Sequence, residues 1–334
     1  MSDLSNPHNK VVFFHIPKTG GITFRSVLQS IYGNSFFNTV DPSTAAMRAS
    51  LEKYECIEIH CNPYQGVPNM NLCLVQERRW DLLTGTNIFT MFRDPVDQAI
   101  SLYCDLARQI THLEQHLGHL KYILPPFPRN LEEFAAAPWF GNAQINFLLA
   151  TQELWPRLGP AHVHAVKNWL VDLQVHVGVT ERFADSLQIF ESVSGRRVPD
   201  GKVLFANTNK QRPPLDSVPE SVKRKLRNNN AIDMELYEFG RQLFENDLRK
   251  YGTNRTYTFF SSVDEPQPEH CIPPEIYCAK STVIRKLHLL VRAAIFRGIT
   301  LRRRIDSQRS VTELMRVSKE HDAETNLSRE RSTV

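Results

Sequence analysis

The sequence predicts an α/β fold: a parallel β-sheet flanked by helices, with a helical C-terminal extension. Three observations carry this. Strand and helix signals alternate along the chain, the pattern of a sheet with helices on its faces. The apolar run Val11-Val12-Phe13-Phe14 enters a Gly20-Gly21 turn, and a helical pattern, Phe24, Val27, Leu28 and Ile31, leaves it. A later strand ends at Phe92, before Arg93-Asp94-Pro95, where Pro95 suits a first helical turn and Asp94 suits its cap.

Strands are expected at Val11–His15, Cys56–His60, Asn87–Phe92, Val175–Thr180 and Lys202–Phe205. Helices are expected at Ile22–Tyr32, Val96–Gln109, Gln144–Leu149, Ala161–Val171, Phe183–Val193, Glu220–Leu226 and Ala231–Tyr251. In the last of these, Ile232, Leu236, Phe239, Leu243 and Leu248 recur at near-helical spacing, and Gly252 offers a stop. Between Ile110 and Pro138 the periodicity breaks among Pro125, Pro126 and Pro128, which suits a lid over a substrate site or a passive insertion. The expected organisation is a globular α/β domain over 1–252, a proline-rich linker or strap over 253–280, a basic amphipathic helix over 281–305 and a disordered tail over 306–334.

At 334 residues the chain can bury a full core. Its first ten residues are polar, and no apolar stretch reaches spanning length, so a protein without an anchor, acting in the cytoplasm, is expected. A Golgi-lumenal protein fits only if an anchor has been removed. The cysteines, Cys56, Cys61, Cys73, Cys104, Cys271 and Cys278, match no common zinc spacing and are read as reduced thiols, with disulfides open if the chain is secreted. Between Lys280 and Arg304 lie eight cations and no acid; taking them from the formal +4 leaves the remainder at −4. The globular part is therefore not a nucleic-acid binder. The basic helix suits an anionic membrane surface or an acidic glycan, or it is an ordinary solvated helix.

The segment His15–Thr23, HIPKTGGIT, reads as an anion cradle. Backbone N–H groups at a helix start, with the helix dipole, favour an anion. Lys18 adds charge, Thr19 and Thr23 add hydroxyls, and Gly20 and Gly21 bring the backbone close. The nucleoside-triphosphate loop G-x-x-x-x-G-K-[ST] does not fit, because Lys18 precedes the glycines. Arg93, at a strand end, and Ser101, two helical turns on, can converge on a second anion.

The order Pro-Lys-Thr-Gly-Gly-x-Thr resembles the 5′-phosphosulfate loop of sulfotransferases that use 3′-phosphoadenosine 5′-phosphosulfate (PAPS). The form HIPKTGG is most similar to the carbohydrate branch, with the heparan sulfate 2-O- and 6-O-sulfotransferases and bacterial relatives. R-D-P-x-x-x-x-x-S-x-Y, Arg93 to Tyr103, resembles that family's 3′-phosphate segment, and Val177–Phe190 its core strand–helix unit. The resemblance implies a P-loop-kinase-like sulfotransferase fold, PAPS as donor and an acceptor hydroxyl, with a carbohydrate favoured and no metal. It implies that Lys18, Thr19, Gly20, Gly21, Ile22 and Thr23 hold the 5′ end, and that Arg93 and Ser101 hold the 3′-phosphate. Lys210 and Arg212, in the loop after the last strand, would touch the 3′-phosphate or adenine.

His60 ends the second expected strand, at the sheet edge where α/β folds bind ligands, and is the candidate base; the resemblance supports it. His15 is the rival, better placed to order the loop. His112, His116 and His119 share a helical face, which fits a solvated or lid face better than a metal site. Two other classes stay open: a nucleotide kinase, and a non-catalytic protein that binds PAP, sulfated ligands or a membrane surface.

Overall fold

The computed structural model describes residues 10–39, 44–60, 79–116, 128–137, 141–149, 158–205 and 212–261. The segments 61–78 and 262–334, with the basic helix and the tail, and the loop residues 206–211 lie outside the described residues. All described residues belong to one compact unit.

Five parallel strands form the main sheet, in the order β2-β3-β1-β4-β5. They are β1 (Val11–His15), β2 (Phe36–Thr39), β3 (Cys56–His60), β4 (Asn87–Phe92) and β5 (His176–Val179). The sequence of β1 explains its central place: it is apolar on both faces, as a strand covered on both sides must be. Val12 and Phe14 join Ile57, Ile59 and Ile88 in one apolar layer. Val11 and Phe13 join Phe89 and Met91 in the other.

Helices cover both layers. Helix α1 (Gly21–Tyr32) follows β1, and α2 (Thr44–Lys53) precedes β3. Helix α3 (Pro95–His116) follows β4; α4 (Leu131–Ala136), α5 (Ala143–Leu148) and α6 (Pro160–Asp172) come before β5. Helices α7 (Phe183–Ser194), α8 (Glu220–Asn229) and α9 (Ala231–Tyr251) complete the set. Phe24 of α1 stacks on Phe89 with ring centroids 5.1 Å apart and meets Phe190 of α7 edge-on. Ile145, Val163 and Leu236, from α5, α6 and α9, cover the opposite layer. A third cluster joins α3 to α4 and α8 through Ile100, Phe134 and Leu226.

Three expectations change. The strand at Lys202–Phe205, here β6, does not join the main sheet; it pairs in parallel with β7 (Thr258–Ser261), inside the stretch read as a strap. Phe205 and Phe259 bring their ring centroids to 5.0 Å there, so aromatic side chains outweigh the nearby prolines. Helix α3 continues through His116, beyond its expected end, and α4 lies inside the supposed irregular stretch. The first turn of α4 is capped by Asn130, whose side chain accepts from the Glu133 N–H.

The sheet register sets the site. His15 of β1 lies directly opposite His60 of β3, so both strands end level. In open parallel sheets the crevice beyond such strand ends is where ligands bind.

Candidate functional site

The loop from Ile16 to Gly20 turns β1 into α1. Lys18 and Gly20 both take left-handed backbone, with φ of 65° and 79°. Such a conformation costs a non-glycine residue roughly 1–2 kcal/mol, so Lys18 is held there by its surroundings. Gly21 is needed for a different reason: a Cβ on it would fall 2.0 Å from the His15 ring. The two glycines therefore do separate work, one in turning the chain and one in admitting the histidine.

Three successive carbonyls of this loop are held by side chains from outside it. Pro17 O accepts from Gln98 Nε2 at 2.8 Å, and Lys18 O accepts from Arg93 Nη1 at 3.0 Å. Thr19 O accepts from the Thr180 hydroxyl at 2.7 Å. A trans peptide unit points its N–H opposite its C=O. Fixing these carbonyls therefore also fixes the N–H groups of Lys18, Thr19 and Gly20, each opposite its own carbonyl. Helix α1 follows with no side-chain cap and no acidic residue in its first turn. Successive N–H groups of this kind form an anion-binding concavity, aided by the helix dipole.

Thr19 contributes through its backbone. It is fully buried, and its hydroxyl donates to Ile16 O at 2.8 Å, which commits the proton inside the loop. Thr23 is also buried, on the inner side of α1, and Ile22 is half-buried.

The cations converge on α3. Asp97, Ser101 and Asp105 recur every fourth residue and share one helical face. Asp97 accepts from Arg93 Nε at 2.8 Å and also pairs with Arg212. Asp105 lies 3.4 Å from Lys18 Nζ. Ser101, half-exposed, stands between the two carboxylates. Three cations from three separate segments thus meet two carboxylates on one helix. Burial, and then the neighbouring Arg93, push Arg212 down to about 10. Burial lowers Arg93 as well. Glu181 and Asp94 also act on the Arg93 guanidinium, so the cations here are matched by carboxylates, and Arg212 Nε is the one buried donor of the cluster left without a hydrogen-bond partner among the described residues.

His15 sits behind the loop. It is buried and pairs through Nδ1 with Glu58 of β3, which also accepts from Arg25 Nε of α1 at 2.6 Å. Burial holds the His15 imidazole below its ordinary pKa. Glu58 is held below the usual carboxylate range: burial works against ionisation, and the His15 and Arg25 contacts outweigh it. A neutral His15 donating to a Glu58 carboxylate balanced by Arg25 accounts for both shifts. This trio, buried at His15 and Glu58 and half-buried at Arg25, fixes β1, β3 and α1 against one another beneath the loop.

The sequence candidates are therefore distributed as follows. Lys18, Thr19, Gly20, Gly21, Ile22 and Thr23 form the loop and helix start, and Arg93 and Arg212 meet beside it at Asp97 of α3, the helix that also carries Ser101. His60 stands at the adjoining strand end by register; its side chain, together with Lys210, lies outside the described residues. The side chains of His112 and His116 and the whole of His119 lie outside them too. Asp97, Asp105, Gln98, Gln144 and Thr180 are contributors that sequence reasoning passes over. The four-residue spacing of Asp97, Ser101 and Asp105 is a readable signal for the first two. No family model matches the chain, and no curated protein does.

Among the described residues no helix is long and apolar enough to cross a membrane, and no three His, Cys, Asp or Glu side chains are grouped to hold a metal. Cys56 and Cys104 are free thiols.

Proposed function

We propose that this chain is a sulfotransferase of the P-loop-kinase-like kind, moving the sulfuryl group of PAPS to an acceptor hydroxyl, with a carbohydrate favoured. The observation that carries the reading is the loop whose three successive carbonyls are held by side chains from outside it, which fixes the N–H groups opposite them, with cations beside it. Two neighbouring anion positions suit a nucleotide that bears both a 5′ and a 3′ phosphate group. The lysine before the glycines argues against a triphosphate.

PAPS supplies the activated sulfuryl group. The N–H groups of Lys18 to Gly20 and the start of α1 hold its 5′ end. Arg93 and Ser101 hold the 3′-phosphate, with Lys210 and Arg212 closing over it. Lys18 exchanges Asp105 for the bridging oxygen and neutralises the charge that gathers there. His60 takes the proton of the acceptor hydroxyl as its oxygen attacks sulfur in line. A cytoplasmic protein that meets an anionic surface or glycan through residues 281–305 fits this reading.

Calorimetric titration with PAP and with Mg-ATP tests it. PAP binds in preference, and Arg93→Ala weakens PAP at least tenfold, about the loss of one charge-assisted contact. Preference for Mg-ATP would instead make the protein a kinase.

A further inference from the structure

Gln144 lays its side-chain amide against the backbone of Arg93. Its Oε1 accepts from the Arg93 N–H at 3.1 Å, and its Nε2 donates to the Arg93 carbonyl at 2.9 Å. The two partners assign the amide: a donor must face the carbonyl and an acceptor the N–H. One residue that both accepts from and donates to another's backbone reproduces the paired bonds of an antiparallel ladder. Asn and Gln carry both functions on one planar group, and here only the longer one is present. Gln144 is 1% exposed, so these bonds form away from water.

The helix that carries Gln144 is itself locked. Asp233, fully buried in the first turn of α9, accepts from the N–H groups of Gln144 and Ile145 at 2.8 and 2.9 Å. In return the Asn142 side chain accepts from the N–H groups of Ile232 and Asp233 at 3.1 and 3.0 Å. Helices α5 and α9 thus cap each other's starts. Asn230 joins them by accepting from the Asn142 N–H at 2.8 Å. Rigidity runs from this buried lock through Gln144 to residue 93, where the guanidinium reaches Lys18 O and Asp97.

We propose that Gln144 is a positioning residue for the anion site: it fixes the backbone of Arg93 and thereby aims the guanidinium at the 3′-phosphate of the donor. This rests on the sulfotransferase reading. Gln144 touches no ligand; it acts through Arg93. A residue that merely staples α5 to β4 would lower stability without regard to which side chain stands at position 93.

A double-mutant cycle separates the two. PAP is titrated into the full chain as wild type, Arg93→Ala, Gln144→Met and the double variant, with melting temperatures alongside. Gln144→Met keeps the length and removes the amide; Gln144→Glu replaces it in the cycle if the Met variant does not melt cooperatively. Expected is about tenfold weaker PAP binding in the wild-type background. In the Arg93→Ala background the change is within about twofold, while the melting temperature falls equally in both. The KM for PAPS rises more than kcat falls. An equal affinity loss in both backgrounds, or none in either, overturns the inference and leaves the anion site standing. Unchanged PAP binding by Arg93→Ala alone overturns the anion-site reading and this inference with it.

Discussion

Lys18 joins two demands that pull against each other. Its ammonium is the mobile charge of the site, and its backbone is left-handed at φ 65°. Glycine meets the backbone demand without the Cβ penalty; alanine meets neither demand. Lys18→Gly is therefore expected to melt above Lys18→Ala, by about 1 kcal/mol of stability after the extra chain entropy of glycine is counted. On the proposed sulfotransferase reading both variants are expected to lose turnover, since neither carries the charge. A thermal melt of the two side by side checks this, and an alanine variant at least as stable as the glycine one would contradict the backbone argument. Lys18 is thus a place where a strained conformation persists because the surrounding contacts hold it. Asp97 is the complementary case, a carboxylate that keeps Arg93 and Arg212 from repelling each other while both remain near the loop.

At the scale of elements, the anion loop is shaped by its neighbours more than by its own residues. The ends of β4 and β5 supply Arg93 and Thr180, and α3 supplies Gln98. Thr180 Oγ1 also lies 2.9 Å from Phe92 O, so its single proton is shared between the end of β4 and the loop, with Thr19 O the nearer acceptor. Thr180→Val keeps the shape and removes the donor. It is expected to cost about 1–2 kcal/mol of stability and to weaken PAP binding severalfold, because Thr19 O is freed and its peptide can turn. Calorimetry on this variant reads both effects; full PAP affinity with lowered stability would separate the carbonyl tether from the site. The sequence made β1, β3 and β4 legible to the residue, because β1 and β4 are short, mostly apolar runs ending at turn or charged residues and β3 alternates Ile57 and Ile59 with polar neighbours. It hid β2 and β7, whose four residues each rely on pairing with a neighbour rather than on a long pattern. The loop and Arg93 stand out in the sequence by residue type and by their place at strand ends, and the structure brings them into contact through Lys18 O. The Gln144 clamp does not stand out there, since it joins residues 51 positions apart and no local spacing announces it.

The whole molecule carries opposing titrations. His15 is held below 6.5 and Glu58 below 4.5, so below about pH 6.5 the unfolded chain binds protons that the folded chain refuses. Their contribution to stability is present at neutral pH and is lost as pH falls. Asp233 has the other sign. Burial pushes it up to about 7 despite its two backbone donors, so its contribution is present below 3.8 and lost as pH rises through about 7. Asp233→Asn lowers the melting temperature by disturbing the cap, and it also removes the opposing titration. Its melting temperature is therefore expected to fall more steeply than wild type between about pH 7 and pH 5; an equal or shallower slope would contradict the raised carboxyl. At this scale one framework of parallel strands, set level at β1 and β3, carries the loop, the cations and the expected base to one rim. The most direct test of that account is transfer from radiolabelled PAPS to a panel of hydroxyl acceptors, with wild type, Lys18→Ala and His60→Ala run together. The account predicts label on at least one carbohydrate with wild type and near-background transfer by both variants, although each still binds PAP. Wild-type rates in the His60 variant would contradict the base, and a wild-type chain that binds PAP yet labels no acceptor would contradict the enzyme.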